Sequence, residues 1–555
     1  MPDYVSRRKP RAHQVDALKA IDGQRAFAVL MGMRCGKSKV ITDDFGKMVT
    51  ERRALDLLII APAGAYLPWQ GALQDDLPES IFRALRMHVW VSSKARSKGA
   101  QSAREAFMLY RGPRALIINT EALSSVLTAR QFVDDFVCQR REQCVAVIDE
   151  SVTIKNPESN AGKFVAARLG TVAGWRRIMS GLVSPRSPTD LWNQFKFLDP
   201  SILGFEDFVA FRARYEKVKY VCMAPSSLLR EKLRALVGDL QTLPGAQMAL
   251  VARRINPDIN PQGMGRAQLR NWIDAQVEGM PRDSMIDAIQ RFGGYVQSVA
   301  VVEGFQNLGE LRDKIAPYSF RVRLEDCFDM PPVDYSFRDV EMTQEQARIY
   351  REMKQNATAI LESLDHVTAT HVVTQMLRLH QVLCGHAVDE EGTIHDVPEK
   401  RTAELCSMLE DYDAKAIIWV SYDRSMQKVV AALEKRYGAG SVARFWGGNV
   451  KTREAEEVLF KTDPQCRFMV ATPDAGGMGR DWSVADWVIY FSTKNNLHHR
   501  YQSEDRAKAV GKMRPIAYTD MRVPGTVEDK NLQCLRNKID MATVIAGDDW
   551  RKWLI

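Results

Sequence analysis

The chain has 555 residues, 45% apolar and 26% charged, a composition that excludes disordered and fibrous classes and a length that excludes one ordinary core. No run of about 18 apolar residues occurs, and the basic start MPDYVSRRKPRAHQ lacks the apolar stretch of a signal peptide, so neither a membrane span nor export by that route is expected. The net charge of +8 is mild for this length but has the sign of a protein that touches phosphate backbones.

Short β-branched apolar runs recur through residues 1–200, at Phe27–Met31, Leu57–Ala61, His88–Val91, Ala115–Asn119, Val145–Asp149 and Arg177–Ser180. Helical stretches separate them, which predicts an α/β fold with a parallel sheet covered by helices on both faces. Two of the runs carry chemistry. The first ends in a glycine-containing turn, Gly32-Met33-Arg34-Cys35-Gly36, followed by Lys37, Ser38 and a helix. Backbone N–H groups and a helix N-terminus then converge where a polyphosphate can sit. Lys37 would neutralise the terminal phosphates, and Ser38 offers a hydroxyl to a magnesium ion. The later run ends in Asp149-Glu150, where Asp149 can hold the same ion and Glu150 can orient or deprotonate an attacking water. A lone Gly-Lys-Ser is more often an ordinary helix start, and the strict loop pattern asks for glycine where Met31 stands. The two features together, each at the end of a predicted strand, point to a nucleotide triphosphatase.

From 201 to 320 the strand signal fades, and Phe205–Tyr215, Ser226–Gly238, Arg266–Val277 and Met285–Phe292 read as helices of an insertion. Within it, residues 255–261 form a proline- and asparagine-rich connector. Residues 321–413 carry Pro331-Pro332 and then two amphipathic helices, as expected of a crossover hinge and a second helical insertion. A second alternating block, 414–555, holds predicted strands at Ala416–Ser421, Val442–Phe445, Phe468–Thr472, Trp487–Phe491 and Ile516–Met521. The nine cysteines form no Cys-x-x-Cys pair and the histidines between His366 and His395 match no ligand template, so no structural metal or disulfide framework is expected.

His13-Gln14 ahead of the phosphate loop, Ile60-Ala61-Pro62 followed by Trp69, Asn119-Thr120-Glu121 and the string IDESVTIKNPES at 148–159 stand in a telling order. Ser180-Gly181, MLRLHQVLCGH at 376–386, Ile418-Trp419-Val420-Ser421, Ala471-Thr472, the segment 475–481 and Gln502-Ser503-Glu504-Asp505-Arg506-Ala507 continue it. In that order the chain resembles the Swi/Snf-type ATPases of helicase superfamily two along almost its whole length.

The resemblance implies two RecA-like parallel-sheet lobes of the P-loop NTPase class, at 1–200 and 414–555, with helical insertions between them. It implies ATP as substrate with Mg2+ held by Ser38 and Asp149. Gln14, the loop from Gly32 to Ser38, Gly479 and Asp481 would bind ATP, with Lys37, Asp149, Glu150, Gln502 and Arg506 as catalytic residues. Arg506 would reach across the interlobe cleft as an arginine finger. Pro62, Thr120 and Lys155 on the first lobe and Ser421, Gly447, Gly448 and Thr472 on the second would grip nucleic acid through its backbone. Serine and threonine at strand ends also often merely cap the next helix. The tryptophans 69, 192, 446 and 482 read as core more readily than as base-stacking platforms.

Five positions depart from the family pattern. Val152 stands where the acidic box usually has histidine, Leu182 and Val183 replace a Thr-Pro pair, and Arg34 replaces a glycine. Ala509 takes the place of a second arginine, leaving only Lys508, Lys512 or Arg514 as helpers for Arg506. The expected function is an ATP-dependent translocase on double-stranded DNA that remodels DNA or displaces bound proteins. The alternatives are a strand-separating DNA or RNA helicase and a DNA-binding module with residual ATPase. A monomer in the cytoplasm, with no membrane association and with targeting by a protein partner or by DNA structure, completes the expectation. Compact phage-encoded members are similar in length and lack of accessory domains, which would make that cytoplasm a bacterial host's.

Overall fold

The apolar runs of residues 1–200 become parallel strands β1 (Ala26–Met31), β2 (Asp56–Ala61), β3 (Arg86–Val89), β4 (Arg114–Asn119), β5 (Cys144–Asp149) and β6 (Trp175–Met179). These are strands of a computed structural model describing residues 4–529 except 96, 182–186, 223, 225, 297, 331, 364–368, 390, 477–479 and 495–496, and beyond them 531, 532 and 535. β7 (Glu216–Cys222) and β8 (Ser298–Phe305) pair with each other, and β9 (Ser319–Val322) joins the edge of the first sheet beside β1. The seven-stranded order is β3-β4-β2-β5-β6-β1-β9, parallel throughout. Its central strands are buried on both faces because each face carries its own apolar set: Leu58, Ile60, Leu116 and Ile148 on one, Leu57, Ile59, Ile117 and Val147 on the other.

β10 (Val333–Asp339) is the edge of a second sheet. β11 (His386–Val388) and β12 (Ile394–Asp396) form a short antiparallel pair. β13 (Ala416–Trp419), β14 (Val442–Phe445), β15 (Phe468–Ala471), β16 (Trp487–Tyr490) and β17 (Ile516–Arg522) complete the second sheet, in the order β10-β17-β16-β13-β15-β14. It too is parallel, with Ile417, Trp419, Met469, Val488 and Tyr490 in one core. The molecule is therefore a two-lobe, RecA-like α/β protein.

The strands from β7 to β12 fall where no strand is expected. β9 and β10 are short or one-sided edge strands: β10 reads Val-Asp-Tyr-Ser-Phe-Arg-Asp and is almost wholly exposed, so no buried apolar run announces it.

The chain divides into two compact units, one comprising 1–216, 305–341 and 400–555 with both large sheets, the other 217–304 and 342–399. The second unit has a core of its own, built from Leu229, Leu233, Met248, Ile273 and Ile289. Its helices Ser226–Val237, Arg266–Gly279 and Arg282–Arg291 lie where the periodicity predicts them. Gly245–Ile255 is an unexpected helix: the turn-like pair Pro244-Gly245 starts it, and Met248, Ala252 and Ile255 fall on one buried face. Between helices, the connector is held by Asx turns, with Asn256 Oδ1 accepting from Asp258 N at 3.0 Å and Asn260 Oδ1 from Gln262 N at 3.2 Å. No helix among the described residues is long and apolar enough to cross a membrane.

Candidate functional site

Parallel pairing sets the C-terminal ends of β5, β6 and β1 side by side, with Met179 opposite both Asp149 and Val29. Such ends are where open α/β sheets bind ligands. The loop after β1 turns into the helix Lys37–Thr50 through Gly36, whose φ of 79° favours glycine. Space demands glycine there as well, since a Cβ would meet the Gln14 amide nitrogen at 2.2 Å. Gln14 Nε2 donates to the Cys35 carbonyl at 3.2 Å, and His13 Nε2 lies 2.9 Å from the same oxygen, so the pair braces the turn from behind. Lys37 Nζ donates to the carbonyls of Met31 and Gly32 at 3.1 and 3.3 Å. Gly181 sits where a Cβ would be 3.8 Å from that ammonium.

Asp149 is buried at the tip of β5 and receives hydrogen bonds from Trp69 Nε1 and from the Glu150 amide, both at 2.9 Å. Burial, and then the neighbouring charge of Glu150, push its carboxyl up to about 6. Glu150 has φ 46°, a left-handed conformation costly for a side chain other than glycine, and Ser180 Oγ donates to its Oε2 at 3.3 Å. With the Ser38 hydroxyl these carboxylates line one cavity, and the set of hard oxygen donors around an under-compensated Asp149 suits a small divalent cation.

That cavity, of about 410 Å³, is closed on its other side by Gln502 and Arg506. Arg506 is 5% exposed; its Nε donates to Gln502 O at 2.7 Å, its Nη1 to Arg480 O at 2.5 Å, and its Nη2 lies 3.7 Å from Met33 Sδ of the phosphate loop. Burial lowers the guanidinium to about 10, which leaves it charged at neutral pH. Asp481 accepts from Arg34 Nη2 at 3.1 Å; burial would raise its carboxyl, but the Arg34 charge and two bonds from Ser483 hold it below the ordinary value. Gly479, Leu182 and Val183 lie outside the described residues.

Ser421, Gly447 and Thr472 line a second cleft of about 700 Å³ together with Gly64, Leu67 and Glu121 of the first lobe. Pro62, buried at the end of β2, leads into this loop, and Ala63 N donates to the Glu121 carboxylate at 3.1 Å. Gly448 adjoins it in the turn Gly447–Asn449, where a Cβ would strike the Trp446 ring. Thr120 opens the helix Thr120–Ser125, its Oγ1 buried without a hydrogen-bond partner. The Ser421 hydroxyl donates to Ser492 O at 2.9 Å, and its amide to Ser492 Oγ at 2.8 Å. Lys155 stands apart from the cleft, in an ion pair of 3.1 Å with Asp190. The cleft mixes Arg453, Arg480 and Lys494 with Asp423, Glu454 and Asp474, so it is not a uniformly basic groove.

Beside Val152, Ser151 Oγ donates to Gln194 Oε1 at 2.6 Å and Gln194 Nε2 to Asp190 O at 2.7 Å, a buried link from the acidic box to the helix Leu191–Leu198. Trp69 and Arg480 join the first cavity without having been expected there. For Trp69 no local signal exists, because its partner is 80 residues away in sequence. Arg480 is signalled only as a cation preceding Asp481.

The family model of the helicase conserved C-terminal domain matches residues 400–511. The TATA-binding protein-associated factor MOT1 of Saccharomyces cerevisiae is 21% identical over 431 residues, covering 74% of this chain and 21% of that protein. The protein CHROMATIN REMODELING 19 of Arabidopsis thaliana is 20% identical over 502 residues, 88% of this chain and 62% of that one. The chain thus spans about a fifth of the length of MOT1 and less than two thirds of the second relative. Among solved structures, the Sulfolobus solfataricus SWI2/SNF2 ATPase core in complex with dsDNA is 18% identical, with a TM-score of 0.37, covering 100% of this chain and 97% of that one.

Proposed function

Because this chain belongs to the Swi/Snf-type ATPases of helicase superfamily two, we propose that it hydrolyses ATP to move along double-stranded DNA, remodelling it or displacing proteins bound to it. The observation that supports this best is the shared cavity: a phosphate loop and an Asp-Glu pair from one lobe face an arginine from the other. In this reading Lys37 exchanges the carbonyls of Met31 and Gly32 for the terminal phosphates of ATP. Glu150, steadied by Ser180, takes a proton from the attacking water, and Arg506 stabilises charge developing on the transferred phosphoryl group. Ser38 and Asp149 would hold the Mg2+ that accompanies ATP, which when bound neutralises phosphate charge. Nucleotide bridging Lys37 and Arg506 favours closure of the lobes, and hydrolysis removes the bridge. Closure moves the Gly64–Leu67 loop relative to Ser421, Gly447 and Thr472, so a DNA backbone gripped by both sides is displaced stepwise. These groups are hydroxyls and backbone amides, suited to contact without sequence preference.

ATP hydrolysis measured side by side with duplex DNA, single-stranded DNA and RNA tests the proposal. Duplex should stimulate most, and no stimulation by any of the three would remove the motor reading. Release of a labelled strand with a single-strand preference would favour the strand-separating helicase instead. A DNA-binding module with residual ATPase is favoured by one observation, the engagement of Lys508, Lys512 and Arg514 with Asp505 and Asp486. Duplex binding unchanged by Lys37→Ala, with no hydrolysis above background, would select it. We further propose that the protein works as a cytoplasmic monomer, directed by DNA structure or by a protein partner.

The raised Asp149 carboxyl gives a second prediction. Below about pH 6 a proton competes with the metal for this group, so the apparent Mg2+ dissociation constant should rise about tenfold from pH 7 to pH 5 and change little from pH 7 to pH 8. Calorimetric titration across that range checks it, and a flat profile would contradict the assignment of Asp149.

A further inference from the structure

We propose that Arg34, on the phosphate loop of the first lobe, supplies the second arginine at the terminal phosphate that the segment after Arg506 lacks. This rests on the ATP-hydrolysis reading above. As water oxygen bonds to the γ-phosphorus, the bond to the β,γ-bridging oxygen breaks, its electron pair leaves with ADP, and the water proton passes to Glu150. Negative charge shifts during that exchange, and a cation on more than one side of the phosphoryl group lowers the barrier more than one alone.

Of the nearby cations of the second lobe besides Arg506, Arg480 lines the cavity but is paired with Glu457 at 3.0 Å, and the others are committed elsewhere. Position 509 is alanine. Lys508 pairs with Asp505 at 3.1 Å, Lys512 with Asp486 at 2.9 Å while donating to the carbonyls of Ser483 and Ala507, and Arg514 pairs with the same Asp486 at 2.8 Å. None of the three lines the nucleotide cavity, whereas Arg34 does.

Arg34 is also held in an uncommon way. Its φ of 63° lies in the left-handed region that glycine occupies freely and other residues rarely adopt. An arginine persists there at a cost that a glycine would avoid, which is expected where the side chain has a task. From that position Nη2 donates to Asp481 Oδ1 at 3.1 Å and to the Arg506 carbonyl at 3.2 Å. Two guanidinium groups thus line one cavity, and an anion lying between them would be attracted by both. The Asp481 side chain is 64% exposed, so its attraction is screened by water and a triphosphate can outcompete it. Arg34 would then leave Asp481 for phosphate on nucleotide binding.

The test compares the wild-type full chain with Arg34→Gly, chosen because glycine suits the backbone there, so folding is preserved. With saturating duplex DNA, kcat should fall by about a thousandfold, within the range associated with an arginine at a transferring phosphoryl group. ADP affinity should change by less than about threefold, while affinity for ADP with aluminium fluoride, which mimics the transferring phosphoryl group, should fall at least about a hundredfold. Partial recovery on adding Ala509→Arg to that variant would support the assignment further. An unchanged kcat, or equal losses of affinity for ADP and for the aluminium fluoride complex, would overturn it, the latter by showing only a loop-shaping role. A wild-type chain that hydrolyses no ATP would instead defeat the reading on which the inference rests.

Discussion

Arg506→Ala is expected to lower the ATP turnover number by about 10³- to 10⁵-fold while weakening ATP binding far less. The reason lies in the partners of the guanidinium. Its close contacts are neutral, the carbonyls of Gln502 and Arg480 and the sulfur of Met33, and burial pulls it down to about 10. A buried cation whose hydrogen-bond partners are neutral has much to gain from charge that appears only as the phosphoryl group transfers, so its removal acts on the transition state more than on the ground state. Lys37→Ala should behave differently. Lys37 already sits in the loop proposed to cradle the nucleotide, so its loss should weaken binding of ATP itself along with turnover. Equilibrium binding of a fluorescent ATP analogue and single-turnover hydrolysis separate the two effects. Hydrolysis by the Arg506 variant within tenfold of wild type would remove the arginine-finger role.

Much of this arrangement is legible in the sequence for a physical reason: strands buried on both faces must be continuous apolar runs. The residues that end such runs are placed by the sheet itself, which is why Met31, Asp149 and Ser180 can be assigned to one edge before any coordinates are seen. The signal weakens where burial is one-sided. β9 and β10 lie at sheet edges and leave no apolar signature. Long-range polar contacts leave none either. Nothing around Trp69 announces its bond to Asp149, and nothing around Lys155 announces Asp190, although both bonds follow once β2, β5 and the helix Leu191–Leu198 have packed. Ser421 shows the same limit from the other side. A hydroxyl read as a grip on DNA spends its hydrogen on Ser492, which leaves its oxygen lone pairs and its place in the cleft as what it offers a ligand.

Asp56→Ala should destabilise the protein by about 3–5 kcal/mol, among the largest costs of any single exchange remote from the cavity. Asp56 opens β2 directly opposite Arg114 of β4, and both side chains are wholly buried. Its two oxygens accept from Arg114 Nε at 2.9 Å and Nη2 at 2.6 Å, and Arg140 Nη1 adds a third bond at 3.2 Å. Arg114 is further fixed by the Met108 carbonyl and the Gln139 amide oxygen, each at 2.8 Å, so it cannot swing out to water when its carboxylate is lost. The variant would leave a buried guanidinium without a counter-charge, and desolvation, no longer offset, sets the size of the loss. A melting temperature lower by about 10 °C is the expected reading, taking about 2–4 °C per kcal/mol for a domain of this size. Replacing both partners with apolar residues, Asp56→Leu with Arg114→Met, should cost less than the single exchange, because no charge is then stranded. The ion pair sits at the N-terminal ends of the strands and the cavity at their C-terminal ends, so turnover per folded molecule should remain near wild type below the transition. A loss under about 1 kcal/mol, the range of an exposed pair, would mean that water reaches Arg114 in the native sheet.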